Sequence, residues 1–180
     1  MIPSGYGDNH RLNPCSVPTK GTIMFAKPQT EHQWLDQLIG NWSLQHECKM
    51  PDGSTSTATG KIECRSLGGM WLIAESSGES NEGDAWSSIM TLGFDLAQQR
   101  YVGTFVGSMM SNIWQYHGIL EKDGNRLPLD TEGPKFDGSG MCPYRDTIEI
   151  VDTDCWLMNS AMQTEDGKWV TFMHGTHKRV

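Results

Sequence analysis

Apolar residues along this chain recur with two different periods, and the change falls at Gly40. Before it, in EHQWLDQLI (31–39), Trp34, Leu35, Leu38 and Ile39 sit at i, i+1, i+4 and i+5. That spacing places them on one face of a short helix. Thr30 is a suitable N-cap, Gln33 completes a capping box three residues on, and Gly40 stands where a helix ends with a C′ glycine. After Gly40, apolar and polar residues alternate. Strand-like segments cover 42–49, 57–66, 70–78, 86–94, 100–107, 112–121, 126–132, 144–151, 155–163 and 168–179. Short breaks separate them, among them PDGS, LGG, ESNEGD, KDGN and EDG, several with the Asp-Gly signal of a hairpin turn.

Short strands in succession, with no helix between them, predict an antiparallel meander. An open sheet edge invites aggregation, and closure into a barrel removes both edges. The predicted fold is all-β: a single antiparallel up-and-down β-barrel of about ten strands over residues 29–180, with the short N-terminal helix capping one end. Residues 1–28 are rich in Pro, Gly, Asn and Ser and show no period. They are expected to form a disordered or loosely attached arm, from which Ile23, Met24 and Phe25 could dock on the body.

Composition narrows the partners. The 20 glycines and 7 tryptophans among 180 residues suit short strands and tight turns. A formal net charge of -8 repels phosphate, and no Lys/Arg cluster offers a local exception. Neither nucleic acid nor an anionic membrane surface is therefore expected as a partner. No apolar run approaches the roughly 20 residues needed to span a bilayer. The first residues lack the apolar core of a secretory signal, so a cytoplasmic location is expected. The five cysteines, Cys15, Cys48, Cys64, Cys142 and Cys155, form no CxxC. Hairpin geometry sets neither Cys48 opposite Cys64 nor Cys142 opposite Cys155, so reduced thiols are expected.

A short helix followed by Gly40-Asn41-Trp42 at the start of the first strand resembles the lipocalin-like (calycin) barrels. The resemblance implies that Trp42 lies across the closed end and that a cation from the last strand, here Arg179 in GTHKRV, packs on its ring. Gly40 would let the backbone pass that ring. EHQWLDQLIGNW, RSLGGMWLIAE, MTLGFD, LDTEGPKFD and YRDTIEI, in this order and spacing, resemble the bacterial family known as domain of unknown function 1579 over about residues 28–180. That family implies a lipocalin-like barrel and no established activity. This chain has Gly107 where relatives often carry an acidic residue.

Period two sorts each strand into two faces. With Arg179 inward, His177, Met173, Thr171 and Trp169 share its side, while His174, Phe172 and Val170 point out. Trp114 and Tyr116 are expected inward, as are Trp71, Ile73 and Glu75, then Tyr144, Asp146, Ile148 and Ile150, then Trp156, Met158, Ser160 and Met162. The lumen is thus aromatic and methionine-rich with a few polar points, the composition of a small-molecule pocket. Its ligand-binding candidates are Trp71, Glu75, Trp114, Tyr116, Tyr144, Asp146, Met158, Met173 and His177; Gly40, Trp42 and Arg179 close the barrel. The first reading is a protein that binds a small, largely apolar molecule in the lumen, without cofactor or metal. Three alternatives stand beside it. One is an enzyme using Glu75, Tyr116, Tyr144, Asp146 or His177 as acid or base on a hydrophobic molecule. Another is a haem-binding barrel with His177 as axial ligand. The last is a filled barrel serving as an interaction module. Glu75 could instead form an ion pair with Arg65 or Arg145. His174 and His177 cannot chelate one ion from a strand, because they face opposite ways. The oligomeric state is left open, a homodimer among the options.

Overall fold

The computed structural model describes residues 26–180. A one-turn helix α1 (Thr30–Trp34) runs into a 3-10 turn (Leu35–Leu38). Ten strands follow: β1 (Gly40–Lys49), β2 (Thr55–Leu67), β3 (Trp71–Ser80), β4 (Ala85–Asp95), β5 (Arg100–Gly107), β6 (Trp114–Gly118), β7 (Arg126–Pro134), β8 (Met141–Asp152), β9 (Cys155–Gln163) and β10 (Trp169–Arg179). Each strand pairs antiparallel with the next, and β10 pairs with β1 to close the barrel. The expected meander, its closure and the N-terminal helix are all present. The arm expected over 1–28 lies outside the described residues except for its last three.

Closure is set by register. Trp42 is the partner of Arg179 and Leu44 the partner of His177 across β1 and β10. The Arg179 guanidinium lies 4.0 Å from the centre of the Trp42 ring. It also donates to the carbonyls of Ile39 at 3.0 Å and Thr153 at 2.9 Å. Trp42 is 1 % exposed, and its indole N–H donates to Leu38 O at 2.9 Å. Gly40 has φ +137, and a Cβ there would stand 2.4 Å from Arg179 Nη1. Only glycine gives both the backbone angle and the space for the guanidinium.

The helix covers the end where β1 begins. Its start is one residue earlier than expected: Gln29, not Thr30, is the N-cap, and the His32 ring accepts from the Gln29 N–H at 3.0 Å. Trp34 donates to Gly124 O at 2.7 Å, and Tyr101 donates to Glu31 O at 2.8 Å. These bonds tie the cap to the β6–β7 loop and to β5. β6 is shorter than the expected 112–121, and its ladder with β7 holds only His117↔Asp130 and Gly118↔Leu129. Among the described residues Cys48, Cys64, Cys142 and Cys155 are free thiols. Within the same residues no helix is long and apolar enough to cross a membrane.

Arg179→Ala removes the cation from the Trp42 ring and two donors to backbone carbonyls. It is expected to lower the unfolding free energy by about 2–3 kcal/mol, and Arg179→Lys to restore only part of that, since an ammonium cannot bridge ring and carbonyls together. Urea denaturation measures both. An Arg179→Ala midpoint equal to the parent's would mean that β1 and β10 hold without this contact.

Candidate functional site

The registers settle which side chains enter the barrel. Trp42 and Leu44 continue through His46 on β1, whose partners are Gly175 on β10 and Ala58 on β2. Trp114, Tyr116, Tyr144, Asp146, Met158, Met173 and His177 lie on the inward side, as expected. Trp71 and Glu75 do not. On β3 the buried residues are Leu72 and Ala74, so the phase is opposite to the expected one. Trp71 lies on the outer wall across Gly93, where a Cβ would stand 2.4 Å from the ring. Glu75 is exposed and pairs with Arg65 at 3.3 Å, the ion-pair alternative, on the outside.

A bulge on β10 changes a second assignment. The register shifts between Thr171 and Met173, so His177 and Met173 stay inward while Thr171 and Trp169 turn out. Trp169 then packs against Arg145 on the outer wall, 4.5 Å from guanidinium to ring centre. Phe172, expected outside, joins Tyr144 (5.9 Å between centroids) and Phe136 (5.2 Å) at the mouth. An extra residue inserted into one strand reverses every face beyond it.

The two halves of the lumen differ. Next to the helix, Leu38, Trp42, Leu92, Tyr101, Leu127 and Leu129 are all at most 1 % exposed, a packed core. Towards the other end the inward residues His46, Trp86, Phe105, Trp114, Met158 and Met173 keep part of their surface exposed. They line an aromatic and methionine-rich cup. Over its rim, Met109 lies where a side chain at Gly107 would have to go, at 2.3 Å from the Cβ position. The methionine occupies the space an acidic residue would need.

Two polar groups form the bottom of the cup. The His177 ring stacks flat on Trp156 with centroids 3.5 Å apart, and its Nε2 faces His46 Nε2 at 3.4 Å. Burial lowers the pKa of His177 to about 3, helped by the neighbouring His46, and burial lowers that of His46 too. Both rings are therefore neutral at neutral pH, one donating to the other. The second group is Asp146, which accepts a hydrogen bond from the Tyr116 hydroxyl and has Ser160 as its β9 partner. Burial raises the Asp146 pKa, and the Ser160 and Tyr116 hydroxyls oppose that rise. Asp146 sits mid-strand between Leu129 and Ser160 on the inward face and keeps partial exposure.

Haem does not fit the position expected for it. His177 is 2 % exposed, its ring face is covered by Trp156 and its Nε2 faces His46, while its Nδ1 is buried without a partner, so neither ring nitrogen is open to an iron. Among the described residues no three His, Cys, Asp or Glu side chains gather as a metal site would require. His46, Trp86 and Phe105 are cup residues the sequence reading left out. Counting in twos from Trp42 reaches His46 directly.

A separate opening lies on the outer wall where β6 leaves β7, a groove of about 680 Å³. It is lined by a row that runs from Trp169 through Arg145 and Asp130 to His117, with Arg145 Nε donating to Asp130 at 2.6 Å. Thr131, 7 % exposed and with no partner for its hydroxyl, reaches the groove through the split.

Comparison with known proteins gives a family and a fold. A family model described as "Protein of unknown function (DUF1579)" matches residues 27–179. No curated protein matches. Among solved structures, Rv2717c from M. tuberculosis is 13% identical with a TM-score of 0.64, covering 86% of this chain and 99% of that one. The S-type phycobiliprotein lyase CPES from Guillardia theta is 17% identical with a TM-score of 0.54, covering 85% of this chain and 98% of that one.

A histidine whose pKa falls on folding binds fewer protons in the folded chain than in the unfolded one. Its stability contribution is intact above the unfolded value of 6.5 and is lost as pH falls towards about 3. Asp146 works in the opposite sense: its raised pKa adds stability at low pH that is lost as pH rises through the folded value. A difference experiment separates them. His177→Phe keeps an aromatic ring on Trp156 but cannot take a proton, and is expected to flatten the acid limb of stability by up to about 1.4 kcal/mol per pH unit between about pH 4 and 6. Urea midpoints at several pH values report the slope; an identical slope in both proteins would show that His177 titrates freely in the fold.

Proposed function

This chain belongs to the DUF1579 family of proteins of unknown function, and from that premise we propose that it binds a small, largely apolar molecule in the open half of its barrel. The observation that carries this reading is the contrast within one lumen. Residues near the helix pack to exclusion of solvent, while Trp86, Phe105, Trp114, Met158 and Met173 face inward and keep accessible surface. A barrel built only for stability or for an outer interaction face has no reason to leave aromatic and thioether surface uncovered inside, because burying it is worth about 25 cal/mol per Å². Apolar walls with a few convergent polar groups, here His46, His177, Tyr116 and Asp146, are the usual composition of a small-ligand site. One protein of similar fold is named a phycobiliprotein lyase; the likeness is one of fold and carries no ligand or reaction across.

Native mass spectrometry of the freshly purified full chain is expected to show a small co-purifying mass, or uptake of an added neutral aromatic such as 2-naphthol. Met173→Trp, which fills the cup from β10, should weaken calorimetric binding of that probe at least tenfold. Unchanged affinity in Met173→Trp would put the probe outside the lumen, and the groove at the β6–β7 split is where it would then be sought.

A further inference from the structure

We propose that the ligand of the open half is a small amine, an apolar body carrying one protonated nitrogen whose charge is met by the Asp146 carboxylate. The proposal rests on the lumen reading above and names the ligand's chemistry.

It starts from a census of charge. Counting in twos along the registers, Asp146 is the one inward carboxylate among the described strands, and Arg179 the one inward arginine or lysine. Arg179 is at the closed end, held by the Trp42 ring and by the carbonyls of Ile39 and Thr153. Arg145, next to Asp146 in sequence, points out and is paired with Asp130. Asp146 therefore has no cation within the lumen. The groups facing it are Tyr116 on β6, Leu129 on β7 and Ser160 on β9, hydroxyls and an aliphatic chain. His46 and His177 are buried neutral rings and supply no charge.

A carboxyl in apolar surroundings costs free energy unless a hydrogen-bonded partner of opposite charge offsets it. The protein provides half of that requirement. Tyr116 holds one oxygen in place, and Asp146, on the inward face of β8, is not fully enclosed. A protonated amine is the group that completes the pair, and it would do so out of bulk water, where the attraction is screened least. An anionic ligand would find no cation in the cup and one carboxylate against it. A neutral ligand would leave Asp146 as it is. The aromatic wall from Trp86, Phe105 and Trp114 suits a ring or short alkyl body, and such faces also attract ammonium groups.

Three probes of one shape test this in the full chain: 2-phenylethylamine, 2-phenylethanol and phenylacetate, titrated near neutral pH and followed by calorimetry and by amide shifts at Met158 and Ser160. The amine is expected to bind at least tenfold more tightly than the alcohol, with phenylacetate weakest, and Asp146→Asn to bring amine and alcohol to equal affinity. Tyr116→Phe, which leaves the charge in place, should keep the preference for the amine. Alcohol binding as tightly as amine, or phenylacetate binding best, overturns the amine assignment while leaving lumen binding intact. If none of the three perturbs Met158 or Ser160, the lumen reading falls and the amine assignment with it.

Discussion

The structure depends on one contact between its two ends. A ten-stranded meander becomes a barrel only when its first strand finds its last in the correct register, and here Arg179 lies on the Trp42 ring while bonding the backbone on both sides of the seam. The contact does more than close the sheet. Trp42 meets the edge of Trp156 at 6.2 Å, Trp156 carries the His177 ring, and His177 faces His46. A continuous column of rings thus runs from the closed floor to the bottom of the cup. The partners Trp42↔Arg179 and Leu44↔His177 belong to one ladder, so the register that seals the barrel also delivers the histidine to its place.

The alternation of polar and apolar residues is enough to read the strands and their order, because half-buried antiparallel strands write their two faces into the sequence, while the closing pair follows from the resemblance to lipocalin-like barrels. Alternation failed where a strand is apolar on both sides. Trp71-Leu72-Ile73-Ala74 offers no phase, and size favoured the wrong one. The decisive partner is remote: Gly93 on the neighbouring strand leaves a flat site on the outer wall into which Trp71 settles, and Leu72 and Ala74 fill the interior. The β10 error has a different origin. No residue between Trp169 and Met173 signals a bulge, and the shift serves a tertiary purpose, bringing Phe172 to Tyr144 while Met173 stays in the lumen. His46 was legible in the same phase as Trp42. The short β6–β7 ladder was not, although Pro128 and Pro134 lie in β7, where prolines limit the bonds a strand can offer.

The packed half and the open half divide the work of the barrel. Burial near the helix supplies the stability, with Trp34 bonded from the helix to the β6–β7 loop and Tyr101 bonded from β5 back to the helix. The other half holds groups that work against stability: two histidines kept from their protons, a carboxyl kept from any countercharge, and aromatic surface left uncovered. Each is a cost that a purely structural core would avoid with aliphatic residues of similar volume.

Those costs are also arranged rather than scattered. His46 and His177 share one hydrogen bond as a neutral pair, and stacking on Trp156 fixes the plane of the lower ring. Asp146 receives its hydroxyl from Tyr116 on β6, two strands away, so the bond passes over β7 on the inner face and fixes the carboxyl there. A polar group that only needed satisfying could be solvated at the mouth, a few residues further along the same strand. Held mid-strand by a partner two strands away, it has a fixed position against which a ligand's shape can be matched, and fixed polar positions in an apolar enclosure are what separate a binding site from an unfilled core.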